Sequence, residues 1–359
     1  MQRPNILRTC ALVVGVLLIA GAFLTAFWIT PTYVARLPDD VDVQRPLAGT
    51  FKTLLDGQAL AQGSLATALK HDVPLTIDRQ VKVLKTAENT ALVSDARTTS
   101  AAGTKVEQTT WQYAVDRRSL EPSSHHPSNW SVVDAHGLTI SFPFGAQKKT
   151  YTGWVPETAT TTPVTYTRAE QRSGLQTYVY QASVTATRIT DSQVLAGLPK
   201  ALPQNLLKLL VEFGPLTPDQ QQKLTALLPA LGDPAPLSYT LQGSDTFWVE
   251  PETGAVLDIQ RSQQRIAAVT APDGSLVPLL PVIDADYRQT PAAVSDAVSD
   301  AKDGRDAIQL AGTTLPIIAG ILGALLILGA LFIPRRRRPE SAPPEDVSPE
   351  GGDSGAVQE

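Results

Sequence analysis

The side chains able to do acid–base, nucleophilic or metal chemistry are few and follow no pattern. The 359-residue chain holds four histidines, His71, His125, His126 and His136, and one cysteine, Cys10. No HExxH pair is present on which a helix would hold zinc. His125-His126-Pro127 lies in a Ser-rich stretch with no acidic companion at ligand spacing, so a solvated loop is expected there rather than a metal site. Ser128, His126 and Asp134 have the residue types of a hydrolytic triad, but triads assemble in space, and nearness in sequence is no evidence for one. Asp284 and Asp286 would share one face of a strand, as a calcium or sugar site uses such pairs. Their position just before a helix-forming segment makes a solvated turn the expectation. Asn129-Trp130-Ser131 fits the N-glycosylation sequon. There is no GxSxG elbow and no Gly-rich phosphate loop. No catalytic residue, metal ligand or cofactor site is therefore assigned, and the chain reads as a non-enzyme. A single cysteine excludes an intramolecular disulfide, a cysteine-based zinc site and an iron–sulfur centre. A net charge of -5 argues against a nucleic-acid partner.

The best functional candidate is physical rather than chemical. Residues 194–231 are Leu-rich and cut by Pro199, Pro203, Pro215, Pro218 and Pro229. Asn205–Phe213 and Pro218–Leu228 each suit a short amphipathic helix, the second with Thr217 as N-cap and Pro218 at the first helical position. Leu206, Leu207, Leu210, Phe213, Leu224, Leu227 and Leu228 make their apolar faces. Such faces pack on a sheet as core, wall a cavity for a lipid chain, or dock on a membrane or partner. These seven side chains are the candidate lipid contacts.

The elements that would position them are mostly strands. Leu75, Ile77, Val81 and Val83 keep one register around Lys82; Trp111, Tyr113 and Val115 share a face opposite Gln112 and Ala114. Tyr178, Tyr180, Ala182, Val184 and Ala186 alternate with Thr177, Gln181, Ser183, Thr185 and Thr187. Period-two alternation rich in Thr, Val, Tyr and Trp marks half-buried strands. Phe247 and Val249, then Leu257 and Ile259, flank Pro251-Glu252-Thr253-Gly254, which reads as a hairpin with Gly254 at a positive φ. Pro143, Gly153, Pro163 and Gly174 are expected to punctuate strands. A further helix is expected from about Pro291 to Gln309, with Val294, Val298 and Ile308 on one face.

Both ends are apolar. Cys10–Ile29 runs 20 residues without a charge and Leu310–Ile333 runs 24. A bilayer core of roughly 30 Å needs about 20 helical residues, so both are long enough to span. Arg3 and Arg8 precede the first block, and Arg335 to Arg338 follow the second. Basic flanks stay cytoplasmic, which places both termini inside and 31–309 outside the plasma membrane. Trp28 and Tyr33 fit an outer interfacial belt. Ala20-Gly21-Ala22 would suit signal-peptide cleavage, but the apolar run continues through Trp28 and favours a retained anchor. Pro316 is tolerated in such a helix, and Gly312, Gly320, Gly323 and Gly329 permit close helix packing. The expected organisation is a cytoplasmic stretch 1–9, a transmembrane helix 10–30, an extracytoplasmic domain 31–309 with a helical insert at about 194–231, a transmembrane helix 310–333 and a disordered cytoplasmic tail 334–359. The fold class is α+β: a β-rich extracytoplasmic domain with a few helices between two transmembrane helices. A large external domain without disulfides must rely on its apolar core, and favours a bacterial envelope.

A family resemblance rests on several blocks in order: the first anchor followed by Leu37-Pro38-Asp39, then Gly137-Leu138-Thr139-Ile140-Ser141-Phe142-Pro143-Phe144. Lys149-Thr150-Tyr151 with Trp154, Gly174-Leu175 with Tyr178, and Trp248-Val249-Glu250-Pro251-Glu252-Thr253-Gly254 follow. With these, the chain is similar over most of 1–333 to the actinobacterial PorA, or porin-A-like, family of two-anchor envelope proteins of unknown function. The resemblance implies a role in the cell envelope, in lipomannan or lipoarabinomannan maturation, and brings no catalytic residues. Topology alone also matches class B scavenger receptors, whose β-rich lipid-tunnel domain lies between two anchors. Four functions follow in order: binding of a membrane lipid or lipoglycan, scaffolding of envelope glycosyltransferases or other envelope-biosynthesis proteins, a glycan hydrolase or transferase with two carboxylates in a cleft, and a porin. The last would need a closed barrel with an apolar outer band.

Overall fold

The computed structural model describes residues 6–61 and 65–332. Residues 1–5, Ile333 and the tail expected at 334–359 lie outside the described residues. Two units result: one from the terminal segments up to Phe23 and from Leu315, the other spanning Leu24–Thr314.

The first unit is a helix pair. α1 (Ile6–Leu24) continues as a π-helical stretch, Thr25–Val34, so the helix runs past the expected 10–30 at both ends. Pro31, which has no amide for the ladder, lies in this wider turn. The last helix of the chain, Leu315–Phe332, pairs with α1 inside this unit. The helices cross at two glycines. A Cβ on Gly15 would lie 2.7 Å from the Gly323 carbonyl oxygen, and one on Gly323 would lie 2.6 Å from that of Gly15. Helices Leu7–Val34 and Pro291–Phe332 are both long and apolar enough to cross a membrane.

The second unit is one antiparallel meander. Its elements are β1 (Asp42–Gln44), β2 (Leu47–Leu55), α2 (Gly57–Ala61), α3 (Leu65–Ala68), β3 (Leu69–Lys70), β4 (Val73–Ala87), β5 (Thr90–Ala101), β6 (Thr104–Asp116), β7 (Tyr151–Val155), β8 (Thr160–Arg172) and β9 (Leu175–Arg188). Then come α4 (Ser192–Ala196), β10 (Ala201–Leu202), α5 (Gln204–Phe213), α6 (Pro218–Leu227), β11 (Ala235–Val249), β12 (Val256–Thr270), β13 (Leu276–Gln289) and α7 (Pro291–Gln309), with α8 (Leu315–Phe332) the helix paired with α1. The main sheet runs β6-β5-β4-β2-β13-β12-β11-β9-β8-β7. The β5–β6 and β8–β9 hairpins turn on Ala102-Gly103 and Ser173-Gly174, with both central residues at positive φ, the geometry that matches strand twist. The β11–β12 hairpin turns on Pro251–Gly254 as expected, with Gly254 at φ 71°. α6 carries a full capping box, Thr217 with Gln220, behind Pro218. α7 starts on the Thr290 cap with Pro291 next, and spans the predicted residues.

Three expectations are corrected. Asp284 and Asp286 are not in a turn: β13 runs on to Gln289 before Thr290 caps α7. Gly153 and Pro163 do not break strands but lie within β7 and β8. A Cβ on Gly153 would meet Val164 of β8 at 2.6 Å, and it is the missing side chain of Gly137, whose Cβ would lie 2.7 Å from the Thr152 carbonyl oxygen, that lets Leu138 bridge β7 closely. In β9 the Thr face is not wholly solvated. Leu175, Thr177 and Val179 are buried, and α7 packs on this side of the sheet through Ala297, Val298 and Ala301 beside Leu175 and Leu257.

Neither edge of the meander is left bare. Along β6, the carbonyls of Gln112 and Ala114 accept from the amides of Val133 (2.8 Å) and Ser123 (2.9 Å). The Gln193 side chain takes both backbone groups of Thr110, at 2.9 and 3.1 Å, and Trp111 donates to Asp191 at 3.0 Å. At β7, Leu138 donates to the Thr152 carbonyl (2.8 Å) and accepts from the Trp154 amide (3.0 Å). The segment between β6 and β7 thus covers both edges of a curled sheet and encloses its interior.

Candidate functional site

The interior of the curl holds two cavities. The outer chamber is about 940 Å³, with Phe51, Leu54, Leu75, Ile283 and Ala285 on its walls. Exposed Asp72, Ala102, Thr104 and Lys105 form its rim, at the Ala102-Gly103 end of β5 and β6. Leu37 is tied to Arg117 at the other end of these strands, where the N-terminal segment enters. The inner cavity is about 140 Å³ and is walled by Phe142, Val164, Phe247, Val256 and Ile259. The two share Ile77, Arg97, Glu157, Gln263 and Tyr287, which makes a polar belt between two apolar stretches.

The belt is built from strand positions in register with the apolar core. Ile77 is followed by Arg79, Arg97 lies two residues from Asp95, and Ile259 is followed by Arg261 and Gln263, with Arg265 next. Asp95, fully buried, accepts from Arg79 at 2.9 and 3.0 Å and from Arg97 at 2.8 Å. Burial opposes its ionisation, but the two guanidinium groups outweigh it and hold the carboxyl well below the usual carboxylate range. Arg261 meets Asp245 at 3.0 Å, and Arg265 forms a forked pair with Glu107. Burial pushes the Asp245 carboxyl up, against the pull of Arg261, while Asp245 keeps that guanidinium charged despite its own burial. Both side chains are enclosed by the fold, yet each keeps 23% of its surface accessible, and that surface faces the cavity. Gln263 accepts from the Tyr287 hydroxyl at 2.7 Å. Glu157, in the β7–β8 turn, is held by its carbonyl, which accepts from the amides of Thr190 (3.0 Å) and Asp191 (3.1 Å).

The two blocks of the family resemblance meet beside the inner cavity. The Phe142 amide and the Ser141 hydroxyl donate to the Gly254 carbonyl at 3.1 and 2.7 Å, and the Ala146 amide donates to Pro251 at 2.7 Å. A Cβ at Gly254 would collide with the Phe142 carbonyl. The profile of the family described as Porin PorA matches residues 8–332. The chain belongs to the PorA family. No curated protein matches it. Family and apolar helices together make it a membrane-associated envelope protein.

In this PorA-family fold the candidate lipid-contact residues mostly serve the sheet. Leu206, Leu207, Leu210 and Leu224 are buried in the core with Tyr239, Val269 and Val277; Leu227 and Leu228 are half-buried against it. Phe213 points outward, 75% exposed. None of the seven lines either cavity; the Leu-rich stretch contributes Gly197, Leu198 and Pro199 to the chamber. The polar candidates stay apart. His71 Nδ1 lies 3.0 Å from the Lys52 carbonyl, His126 stacks on Trp130, and His136 sits 3.5 Å from Asp134, both exposed. Among the described residues no group of His, Cys, Asp and Glu is placed to hold a metal ion. Asp284 and Asp286 do share a strand face, where Lys52 lies 2.6 Å from Asp286 and Gln264 donates to Asp284 at 2.8 Å. The belt itself was missed from sequence. Its signal was present: Arg79, Arg97 and Arg261 each fall two residues from a buried side chain on one strand, where a solvated charge does not belong.

Proposed function

We propose that the protein is a non-enzymatic envelope component that binds an amphiphilic lipid or lipoglycan in its β domain at the outer face of the plasma membrane. The carrying observation is the chamber of about 940 Å³, with an apolar stretch from Phe51, Leu54, Leu75, Ile283 and Ala285, a charged mouth and a polar belt at its inner end. That size falls at the top of the range of about 300–1,000 Å³ typical of small-molecule sites, and the mixed lining suits a chain joined to a polar head. The basic flanks support a two-pass arrangement with both termini cytoplasmic and the β domain outside. The family's porin description sits poorly with strands whose outward residues include Thr76, Asp78 and Lys82, since a membrane barrel turns an apolar band to lipid.

Native mass spectrometry with lipid extraction on the detergent-solubilised full chain tests this. A stoichiometric polar lipid is expected, and Ala285→Trp, which fills the chamber, should remove it. A lipid-free wild type overturns the proposal. Scaffolding of envelope glycosyltransferases is the second reading, favoured by the exposed apolar pair Leu209 and Phe213 on α5. Lipid-free protein carrying a partner enzyme is its signature.

A further inference from the structure

Four carboxylates are buried among the described residues: Asp95, Glu157, Glu250 and Asp258. Three accept side-chain or amide donors from the protein, Asp258 through Oδ2 alone. Asp95 is held by Arg79 and Arg97, Glu250 by Thr253 and the Glu252 amide, and Asp258 by Arg172 and Arg288. Glu157 is 6% exposed, lines both cavities and accepts no hydrogen bond through its carboxylate from any described residue. A buried carboxylate without a donor is costly, so a group entering the cavity has reason to supply one. Around it the walls present the opposite capacity. The guanidinium groups of Arg97, Arg261 and Arg265 are close enough to be influenced by its charge, and Nε of Arg261 and Arg265 has no acceptor. Trp154 Nε1 and Thr139 Oγ1, on the inner cavity, are also unpaired.

Three head-group chemistries can be weighed against this set. A phosphate would satisfy the arginines but place like charge beside Glu157. An ammonium would satisfy Glu157 but face three guanidinium groups. The charges of the belt are balanced, Arg79, Arg97, Arg261 and Arg265 against Asp95, Glu107, Asp245 and Glu157, and nearer the mouth Lys70 and Lys105 stand against Asp56 and Asp72. The belt therefore has no net charge with which to select either ion. A hydroxyl both donates and accepts, and a cluster of hydroxyls can meet Glu157 and the arginines together. We infer that the belt is a recognition site for an uncharged, hydroxyl-rich head group, a glycosyl or polyol unit, with Glu157 as its acceptor. This rests on the lipid-binding reading above.

The test uses the full chain in detergent and one dioleoyl tail under three heads: glucosyl, phosphate and trimethylammonium. The glucosyl lipid should bind about tenfold more tightly than either charged one, since a hydrogen bond to a charged group is worth that much. Glu157→Gln should weaken the glucosyl lipid about tenfold and improve the phosphate lipid. Glu157→Asp, which keeps the charge, should fall between them, and melting curves confirm that each variant folds. If the phosphate lipid matches the glucosyl lipid on the wild type, or Glu157→Gln leaves the order unchanged, the recognition site is overturned while lipid binding stands. If none of the three saturates the wild type, or Ala285→Trp leaves their binding unchanged, the cavity reading itself falls and takes this inference with it.

Discussion

Replacing Phe142 with alanine tests whether the joined sequence blocks hold the segment that closes the sheet. The ring is buried, with centroids of Tyr180, Tyr151 and Phe247 at 4.5, 5.5 and 6.0 Å. A buried Phe→Ala change costs about 3–5 kcal/mol, depending on how far the surroundings collapse into the hole. Collapse is restricted here. The backbone on either side is tied to the β11–β12 turn by Ser141, Phe142 and Ala146, and the three aromatic pairs each add on the order of 0.5–1.5 kcal/mol. The upper part of the range, about 4–5 kcal/mol, is therefore expected. At roughly 2 °C per kcal/mol for a domain of this size, melting should fall by about 8–10 °C. Thermal unfolding of the full chain in detergent, followed by tryptophan fluorescence, reads this directly. Phe144→Ala is the control: that ring is only half-buried and outside the aromatic cluster, and should cost less than about 2 °C. Equal shifts for the two variants would refute the reasoning, because the block would then contribute bulk apolar area and not a specific anchor.

Other perturbations follow from single contacts. Asp258→Ala leaves Arg172 and Arg288 without their shared carboxylate and should cost about 3 kcal/mol, the low end for breaking a buried pair because both arginines reach solvent; a melting shift below 2 °C would contradict it. Gly323→Ile should lower the melting temperature by forcing α1 and α8 apart, whereas Gly320→Ile, with open space around it, should not; similar values for both would remove the glycine crossing. Asp95 has a folded pKa below its unfolded value of about 3.9, so its stabilisation is present above that pH and lost as pH falls through the folded value. Asp95→Asn should thus destabilise at pH 7 and lose its effect in acid; a pH-independent difference would count against the ion pairs. Asp245 has the opposite sign: its raised pKa gives a contribution present below the unfolded value and lost as pH rises through the folded one. Asp245→Asn should raise the melting temperature at pH 7 but not at pH 3, and a drop at pH 7 would show that the Arg261 contact outweighs burial.

What the sequence carried about the fold was local. The Thr217-Pro218 start of α6, the Thr290-Pro291 start of α7 and the Gly254 turn each depend on residues within one turn of chain, and each formed where expected. The apolar ends were legible because a charge-free apolar run of 18 or more residues is itself long enough to cross a bilayer as a helix. Faces of strands were less so. Leu175 is buried on the Thr177 side of β9 because α7, more than 100 residues later, returns to that side, and alternation within β9 cannot report a cover from elsewhere. Asp284 and Asp286 belong to β13, whose alternation runs on to Gln289, and nearness to a helix start does not end a strand. The belt was hidden for the same reason as the covered face. Arg79 and Arg261 look like solvated strand residues until pairing brings Asp95 and Asp245 beside them, while Arg97 shares Asp95 from its own strand.

The way the sheet is closed explains why a cavity with charged walls survives in this fold. An antiparallel sheet that curls without joining its edges leaves two rows of unpaired backbone groups, which invite association with other strands. A closing strand would solve this but would also draw the two edges together and squeeze the interior. Here one irregular segment, together with the Gln193 amide, satisfies the backbone of β6 and β7 separately, so the edges remain apart. The separation leaves room inside, and room inside is what the arginines require. Fully packed, four guanidinium groups and four carboxylates would need every hydrogen bond met by protein, and the Glu157 carboxylate accepts none from the described residues. Beside an accessible cavity, the unmet bonds are left to whatever enters. The loop-closed edge and the unpaired carboxylate are thus two aspects of one arrangement, in which the sheet is prevented from completing its own core.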